Sequence, residues 1–328
     1  MNILVVRTDK LGDFITALPT LYVLKQHAPE NRIIAYVAPL NKALAEACDF
    51  IDEVIVDEGE SVFELVKKLK RAKIDVSITL FSNTRVATAQ FLAGISRRIA
   101  PATKIAQFFY TDRIVQRRSQ VKMAEFEYNL ELAKVLFPTM DLSFVTPLLH
   151  LSAAEIEQSY RKFCDDYGIH RPVVAFHPGF GGSSDANWTL DEYIELVSIA
   201  VENREIQVVM TFGPGEEDLR KAAAEKAVGQ DVIFYQSKGG IVAFATLLAS
   251  FKLFISTSTG TYHLAALVGT PTMTFFADTL FASSKRWKSV SDEKLQTNRM
   301  IPLDAQKREL FFEETKRELR ERSGLLLL

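Results

Sequence analysis

Apolar and polar positions along this chain follow two alternating patterns. Short runs of β-branched and aromatic residues, NILVVR (2–7), RIIAYVA (32–38), EVIVD (53–57) and DVSITLF (75–81), are each followed by a longer stretch whose apolar positions recur at helical spacing. One such stretch runs from the first strand to about Ala28, and SVFELVKKLKRAK (61–73) is another. The rhythm weakens between Arg97 and Val145, where Pro101 and Pro138 punctuate mixed segments and MAEFEYNLELAKVLF (123–137) reads as one helix. It restarts at PVVAFHPG (172–179), continues through IQVVMTFGPG (206–215), DVIFYQ (231–236) and KLFIST (252–257), and ends at TPTMTFFA (270–277). Thr189 is the expected N-cap of the helix that opens TLDEYIEL.

Strands alternating with helices in this way predict an α/β fold with parallel sheets covered on both faces. The interruption near the middle predicts two domains of similar size, 1–150 and 151–302. The charged helix 303–328 is expected to pack back on the first. Several second-domain strands run into Gly, Ser or Thr loops, and ligands of open α/β sheets bind at those carboxyl ends. A cleft between two such domains is the expected site.

Composition narrows the class without naming an activity. Over 328 residues, 48% are apolar and 24% charged, with a formal net charge of -2, which fits a soluble globular protein and not a nucleic-acid binder. Two distant cysteines, Cys48 and Cys164, fit a reduced, cytoplasmic setting. The amino terminus lacks a signal-peptide layout, and no apolar run reaches the length of a membrane span.

Candidate chemistry sits where strands end. RTDKLGDFITALP (7–19) follows the first strand but has neither the G-x-G-x-x-G of a dinucleotide site nor a P-loop. Gly12 permits a tight turn there, and Asp13 adds a carboxylate near a helix start. In FISTSTGTYHLAALVGTP (254–271), a helix begins after Ser258, Thr259, Gly260 and Thr261, and its free N–H groups suit a diphosphate. An ordinary capped helix, with His263 bonded to a neighbouring group, satisfies the same pattern. HPGFGGSSDANW (177–188) demands an irregular loop able to wrap a phosphate or sugar with backbone amides, or a long connection with no ligand. Glu216 and Glu217 follow a glycine turn where a carboxylate can accept ribose hydroxyls. Between Arg97 and Lys122, the basic residues Arg97, Arg98, Lys104, Arg113, Arg117, Arg118 and Lys122 face one acid, Asp112. With Phe108, Phe109 and Tyr110 among them, they suit an anionic acceptor, an acidic membrane surface or a plain solvated face. There is no D-x-D, and Asp165 and Asp166 adjoin within a helical stretch, so no metal site is expected.

Three of these segments, in this order, resemble glycosyltransferase family 9, the ADP-heptose:lipopolysaccharide heptosyltransferases: RTDKLGDFITALPTLYVLK, FHPGFGGSSDANWTLDEYIEL and STGTYHLAALVGTPTMTFF. The resemblance implies a GT-B fold, two Rossmann-like domains facing a central cleft, with acceptor bound in the first and nucleotide-sugar in the second. It implies inverting transfer without an obligatory metal or further cofactor, and Asp13 as general base. On the donor side it points to His177, Gly179, Ser183, Ser184, Asn187, Glu216 (with Glu217 one position off), Ser258, Thr259, Gly260, Thr261 and His263. On the acceptor side it directs attention to Lys10, Gly12, Arg97, Arg98, Arg117, Arg118 and Lys122. The implied partners are a nucleotide-sugar and an anionic, lipid-linked acceptor, met in the cytoplasm or at the inner face of the cytoplasmic membrane.

Two positions depart from the family's pattern. Ala186 stands where members often have the lysine of K-x-W, and Ser258 where many have aspartate. The resemblance therefore carries the reaction class further than the identity of the sugar. A transferase or epimerase using another nucleotide-sugar, and an inert sugar-nucleotide-binding paralogue, stay open, although a pure binding module has no need of Asp13.

Overall fold

A computed structural model describes residues 1–179 and 187–325, with side chains through 321. The chain divides into two compact units, Met1–His150 and Leu151–Leu328. The first contains β1 (Asn2–Arg7), α1 (Leu11–Ile15), α2 (Leu18–His27), β2 (Arg32–Val37), α3 (Lys42–Glu46), β3 (Glu53–Val56), α4 (Val62–Arg71), β4 (Val76–Thr79), α5 (Thr84–Leu92), β5 (Arg97–Pro101), β6 (Asp112–Ile114) and α6 (Glu125–Leu136). The second opens with α7 (Ala153–Tyr167), β7 (Val173–His177), α8 (Leu190–Val201), β8 (Gln207–Phe212), α9 (Glu217–Lys226) and β9 (Val232–Gln236). It continues with α10 (Ile241–Leu248), β10 (Leu253–Thr257), α11 (Gly260–Leu267), β11 (Thr272–Ala277), α12 (Ser284–Trp287), β12 (Gln296–Ile301) and α13 (Ala305–Leu325).

Each unit is built on a six-stranded parallel sheet, ordered β3-β2-β1-β4-β5-β6 in one and β12-β11-β10-β7-β8-β9 in the other. Counted from the first strand of its own unit, each has the doubly wound order 3-2-1-4-5-6. The central strands are apolar throughout because both of their faces are covered: β4, β7, β10 and β11 are buried along their whole length. Strand order reverses between β1 and β4, and again between β7 and β10, so the carboxyl ends of those strands are the ligand positions of each unit.

Local chemistry accounts for the helix boundaries. Ser61, Ser152 and Thr189 each open a capping box with a glutamate three residues on, as expected for Thr189. The helix expected to run unbroken to Ala28 is instead two, α1 and α2, because Pro19 cannot donate back to the preceding turn and fits only in the first turn of α2.

The final helix, expected from the sequence to pack back on the first unit, contributes to the core of the second. Phe312 and Leu319 enter the same core cluster as Trp188, Val197 and Phe275, and the Trp188 and Phe312 rings lie 5.0 Å apart. The Arg308 guanidinium crosses the Trp188 ring at 4.6 Å and donates to Glu192 on α8 at 2.6 Å. Arg299 of β12 reaches Glu318 on α13 at 2.7 Å. The apolar flank of α8 has to be covered, and α13 supplies the aromatic face that does so. No helix among the described residues is long and apolar enough to cross a membrane.

Phe312→Ala should therefore destabilise the second unit by about 3–5 kcal/mol, the usual loss for a buried aromatic side chain. Denaturant unfolding followed by tryptophan emission checks this. An unchanged midpoint would show that α13 contributes no core.

Candidate active site

In the first unit the site is organised by an arginine at the end of an apolar strand. Arg7, the last residue of β1, is only 2% exposed. Its Nε donates to Asp9 Oδ1 at 2.7 Å, one terminal nitrogen to Asp13 Oδ1 at 2.5 Å, and the other to Glu125 Oε1 at 3.4 Å. Glu125 begins α6 and also receives Arg118, whose guanidinium lies over the Tyr128 ring. Burial alone would weaken the charge on Arg7, but Asp9, Asp13 and Glu125 together push its proton affinity above the ordinary value. Asp9 goes up to about 6, chiefly because burial disfavours its charge, with Asp13 adding to the rise and Arg7 opposing it.

Asp13 is held without being used up. Its side chain is 20% exposed, and only Oδ1 has a partner among the described residues. Oδ2 is left to accept a further proton or hydrogen bond. Asp13 also fixes its own turn through its backbone carbonyl, which accepts the Thr16 hydroxyl at 2.7 Å, while Asn129 of α6 donates to the Thr16 carbonyl at 3.1 Å. The role expected of Gly12 is not what is seen: it lies inside α1 and is not among the glycines with positive φ, so the turn comes from Lys10, the extended N-cap of that helix.

The basic segment separates into different places. Arg97 aligns with Ile3 through Val76 at the amino end of the sheet, about 13 Å of strand from the level of Arg7. It pairs with Asp112 at 3.2 Å and with the Val135 carbonyl at 2.8 Å. Arg98 donates to the carbonyls of Phe109 and Ile95, and burial lowers its proton affinity. These two bind the fold together and stand apart from Asp13. Arg118 joins the Asp13 cluster through Glu125. Arg117 and Lys122 are exposed on the loop leading to α6, where Lys122 N donates to the Tyr128 hydroxyl.

In the second unit, the ends of β7 and β8 enclose a carboxylate. Glu216 Oε2 accepts Gly213 N at 2.6 Å and lies 3.9 Å from His177 Nε2. A Cβ on Gly179 would stand 2.0 Å from Glu216 Oε1, so glycine is required there as long as Glu216 keeps this position. Glu217, by contrast, begins α9 and accepts Gly215 N at 3.3 Å. Glu216 is therefore the acid that faces the strand ends. His177 is buried and bonded through Nδ1 to the Thr211 carbonyl at 2.9 Å, and burial is the main cause that lowers its proton affinity.

The start of α11 has the expected composition and a different histidine. The Thr259 and Thr261 hydroxyls lie 2.7 Å apart, and Thr259 makes no side-chain cap, which leaves the first N–H groups of the helix without that partner. Gly260 is the first residue of α11, and Ser258 N is bonded to the Phe275 carbonyl at 3.0 Å. Nearby, the buried Ser256 hydroxyl has no hydrogen-bond partner among the described residues. His263 does not reach that end. It is buried, bonded to the Ser289 hydroxyl at 3.1 Å, and pushed down to about 3 by burial, so it stays neutral and offers no charge to a phosphate. Asn187 keeps both side-chain amide atoms buried and without a partner among the described residues. Ser183, Ser184 and Ala186 lie outside the described residues. The sequence reading missed Arg7, Asp9 and Glu125. A charged residue closing an otherwise apolar strand was the available signal for Arg7; nothing local marks Glu125.

Two units, each with a doubly wound parallel sheet, give the chain the GT-B fold of its structural neighbours. The description "Glycosyltransferase family 9 (heptosyltransferase)" matches residues 62–310, and the chain belongs to that family. It is 34% identical over 300 residues to a Haemophilus influenzae protein provisionally assigned as a glycosyltransferase, covering 89% of this chain and 86% of that one. It is 24% identical to lipopolysaccharide heptosyltransferase 3 of Escherichia coli K12, over 84% of this chain and 82% of the relative. Its fold superposes on E. coli ADP-heptose lps heptosyltransferase II with a TM-score of 0.78 at 20% identity, over 100% and 99% of the two chains.

The burial of His263 sets a pH dependence. Its folded proton affinity lies near 3, below the ordinary 6.5, so below about pH 6.5 the unfolded chain binds a proton that the folded one refuses. Relative to His263→Gln, the wild type should lose about 1.4 kcal/mol of stability per pH unit between 6.5 and 3, and nothing above that window. Denaturant melts of both proteins across pH test this; a pH-independent difference would mean the ring is not held neutral.

Proposed function

We propose that this enzyme transfers a heptose, or a closely related sugar, from a nucleotide-sugar to a lipopolysaccharide-core or related surface-glycan acceptor, with inversion and without an obligatory metal. The observation that carries the reading is the Asp13 carboxylate, anchored through Oδ1 by the buried Arg7 and with Oδ2 unpartnered among the described residues, at the carboxyl end of the switch strand. Asp13 takes the proton of the acceptor hydroxyl as its oxygen attacks the anomeric carbon. The new C–O bond forms while the bond from that carbon to the diphosphate breaks, and the negative charge goes to the leaving nucleoside diphosphate. The amides at the start of α11 and the Thr259–Thr261 hydroxyl pair suit that charge. Glu216, held beside Gly179, is the acid we assign to the donor ribose.

Support for the donor comes from relatives named as heptosyltransferases and from a fold neighbour named for ADP-heptose. Asp13 lies ahead of the family-matched segment, so its role rests on geometry and on the resemblance of its own motif.

Calorimetric titration with ADP, UDP, GDP and CMP tests the donor. ADP is expected to bind best; a preference for another nucleotide would keep the transferase and replace the donor, and no binding would point to an inert relative. Asp13→Asn should keep nucleotide affinity while transfer, assayed with and without chelator, falls by about 10²–10⁴-fold. Equal loss of binding and turnover would make Asp13 structural.

A further inference from the structure

Exposed apolar side chains occur on one face of the first unit together with cations that have no carboxylate partner among the described residues. A short 3-10 turn at Ile105–Phe109 packs against α5. With three residues per turn, Ile105 and Phe108 fall on the same side of it, and they are 70% and 73% exposed. Phe91 and Leu92, at the end of α5, are exposed beside it, with the Phe91 and Phe109 rings 5.9 Å apart. Single exposed apolar residues are unremarkable, but contiguous apolar surface with a polar rim marks an interaction site.

The sheet register supplies the rim. Arg113 of β6 pairs with Ala100 of β5, whose side chain packs with Ala87 of α5 and Ala106 of the 3-10 turn. Paired residues of neighbouring strands share a face, so Arg113 emerges on the side that carries Ile105 and Phe108. Lys104 immediately precedes the turn and is exposed, with its ammonium 5.6 Å from the centre of the Phe81 ring. The adjacent acid in sequence, Asp112, points to the opposite face and is paired with Arg97. Lys104 and Arg113 have no carboxylate partner among the described residues.

We propose that this face, Phe91, Leu92, Ile105 and Phe108 rimmed by Lys104 and Arg113, docks the first unit on an anionic lipid bilayer. Apolar tips enter the boundary between headgroups and acyl chains while the two cations meet lipid phosphates. Charge complementarity selects that occupant: a second copy of this chain, near neutral overall, offers these cations no comparable field of negative charge. The surface deepens the reading of a lipid-linked acceptor, on which its purpose rests, by naming the surface where that acceptor would be met.

Full-length protein should sediment with phosphatidylglycerol-containing vesicles and not with pure phosphatidylcholine. I105S/F108S and K104E/R113E should each weaken vesicle binding at least about tenfold, with unchanged melting temperature and nucleotide affinity. Binding that neither double variant alters, or no binding to anionic vesicles, overturns the proposal; so does a concentration-dependent dimer that I105S/F108S disrupts in the absence of vesicle binding. Transfer to a delipidated, water-soluble acceptor should persist in both variants. Loss of vesicle binding with that transfer intact separates this surface from the donor and acceptor reading, whereas absent transfer in the wild type would count against that reading alone.

Discussion

The buried guanidinium of Arg7 is the interaction on which the first unit's site depends. A cation taken out of water at the end of a central strand is tolerable only when several anions meet it, and here Asp9, Asp13 and Glu125 do so from a loop, a short helix and the start of α6. Removing one partner of such a cluster typically costs about 3–5 kcal/mol, because the charge left behind stays buried. The same contact therefore fixes where α1 and α6 begin and how the Asp13 carboxylate is presented. Fold and candidate site share one cation. Asp9 shows the cost of the arrangement, since burial, with Asp13 adding to it, disfavours its own ionisation.

The two units solve the same topological problem with opposite materials. Each reverses strand order beside its first strand and leaves the carboxyl ends of two strands open to a ligand. In the first unit those ends carry charge. In the second they carry glycines, hydroxyls and helix N–H groups, with the Glu216 carboxylate so close to Gly179 that it would have to move to admit a side chain there. Such a surface suits a ligand that brings its own negative charge and its own hydroxyls. The two buried histidines of this unit, His177 and His263, have their proton affinity lowered by burial and serve as shaped polar fillers that tie strand and helix together.

A run of basic residues in a sequence is not a surface. Between Arg97 and Lys122 the parallel register sends Arg97 to one face with Asp112, while Arg98 folds over Phe91 and spends its donors on backbone carbonyls. Arg118 turns toward Glu125, and Arg113 is left on the face that bears the exposed apolar residues. What reads as one positive field along the chain is divided by a two-residue period and a strand crossover into a structural lock, a site partner and a rim.

By itself the sequence determined the alternation of buried strands and helices, the division into two α/β units, and the two strand-end motifs around Asp13 and Thr259–Thr261. Those are local: hydrophobic period, capping residues and turn chemistry are written within a few positions of one another. It also left Glu216 and Glu217 adjacent and unresolved, because choosing between them needs the position of Gly179, far away in the chain. Only the tertiary structure decided that Glu125 would meet Arg7 across 118 positions, that His263 would turn into the core, and that α13 would cover α8. Each of those depends on which strands become neighbours and which apolar flank remains to be covered, and no local pattern encodes a partner that distant.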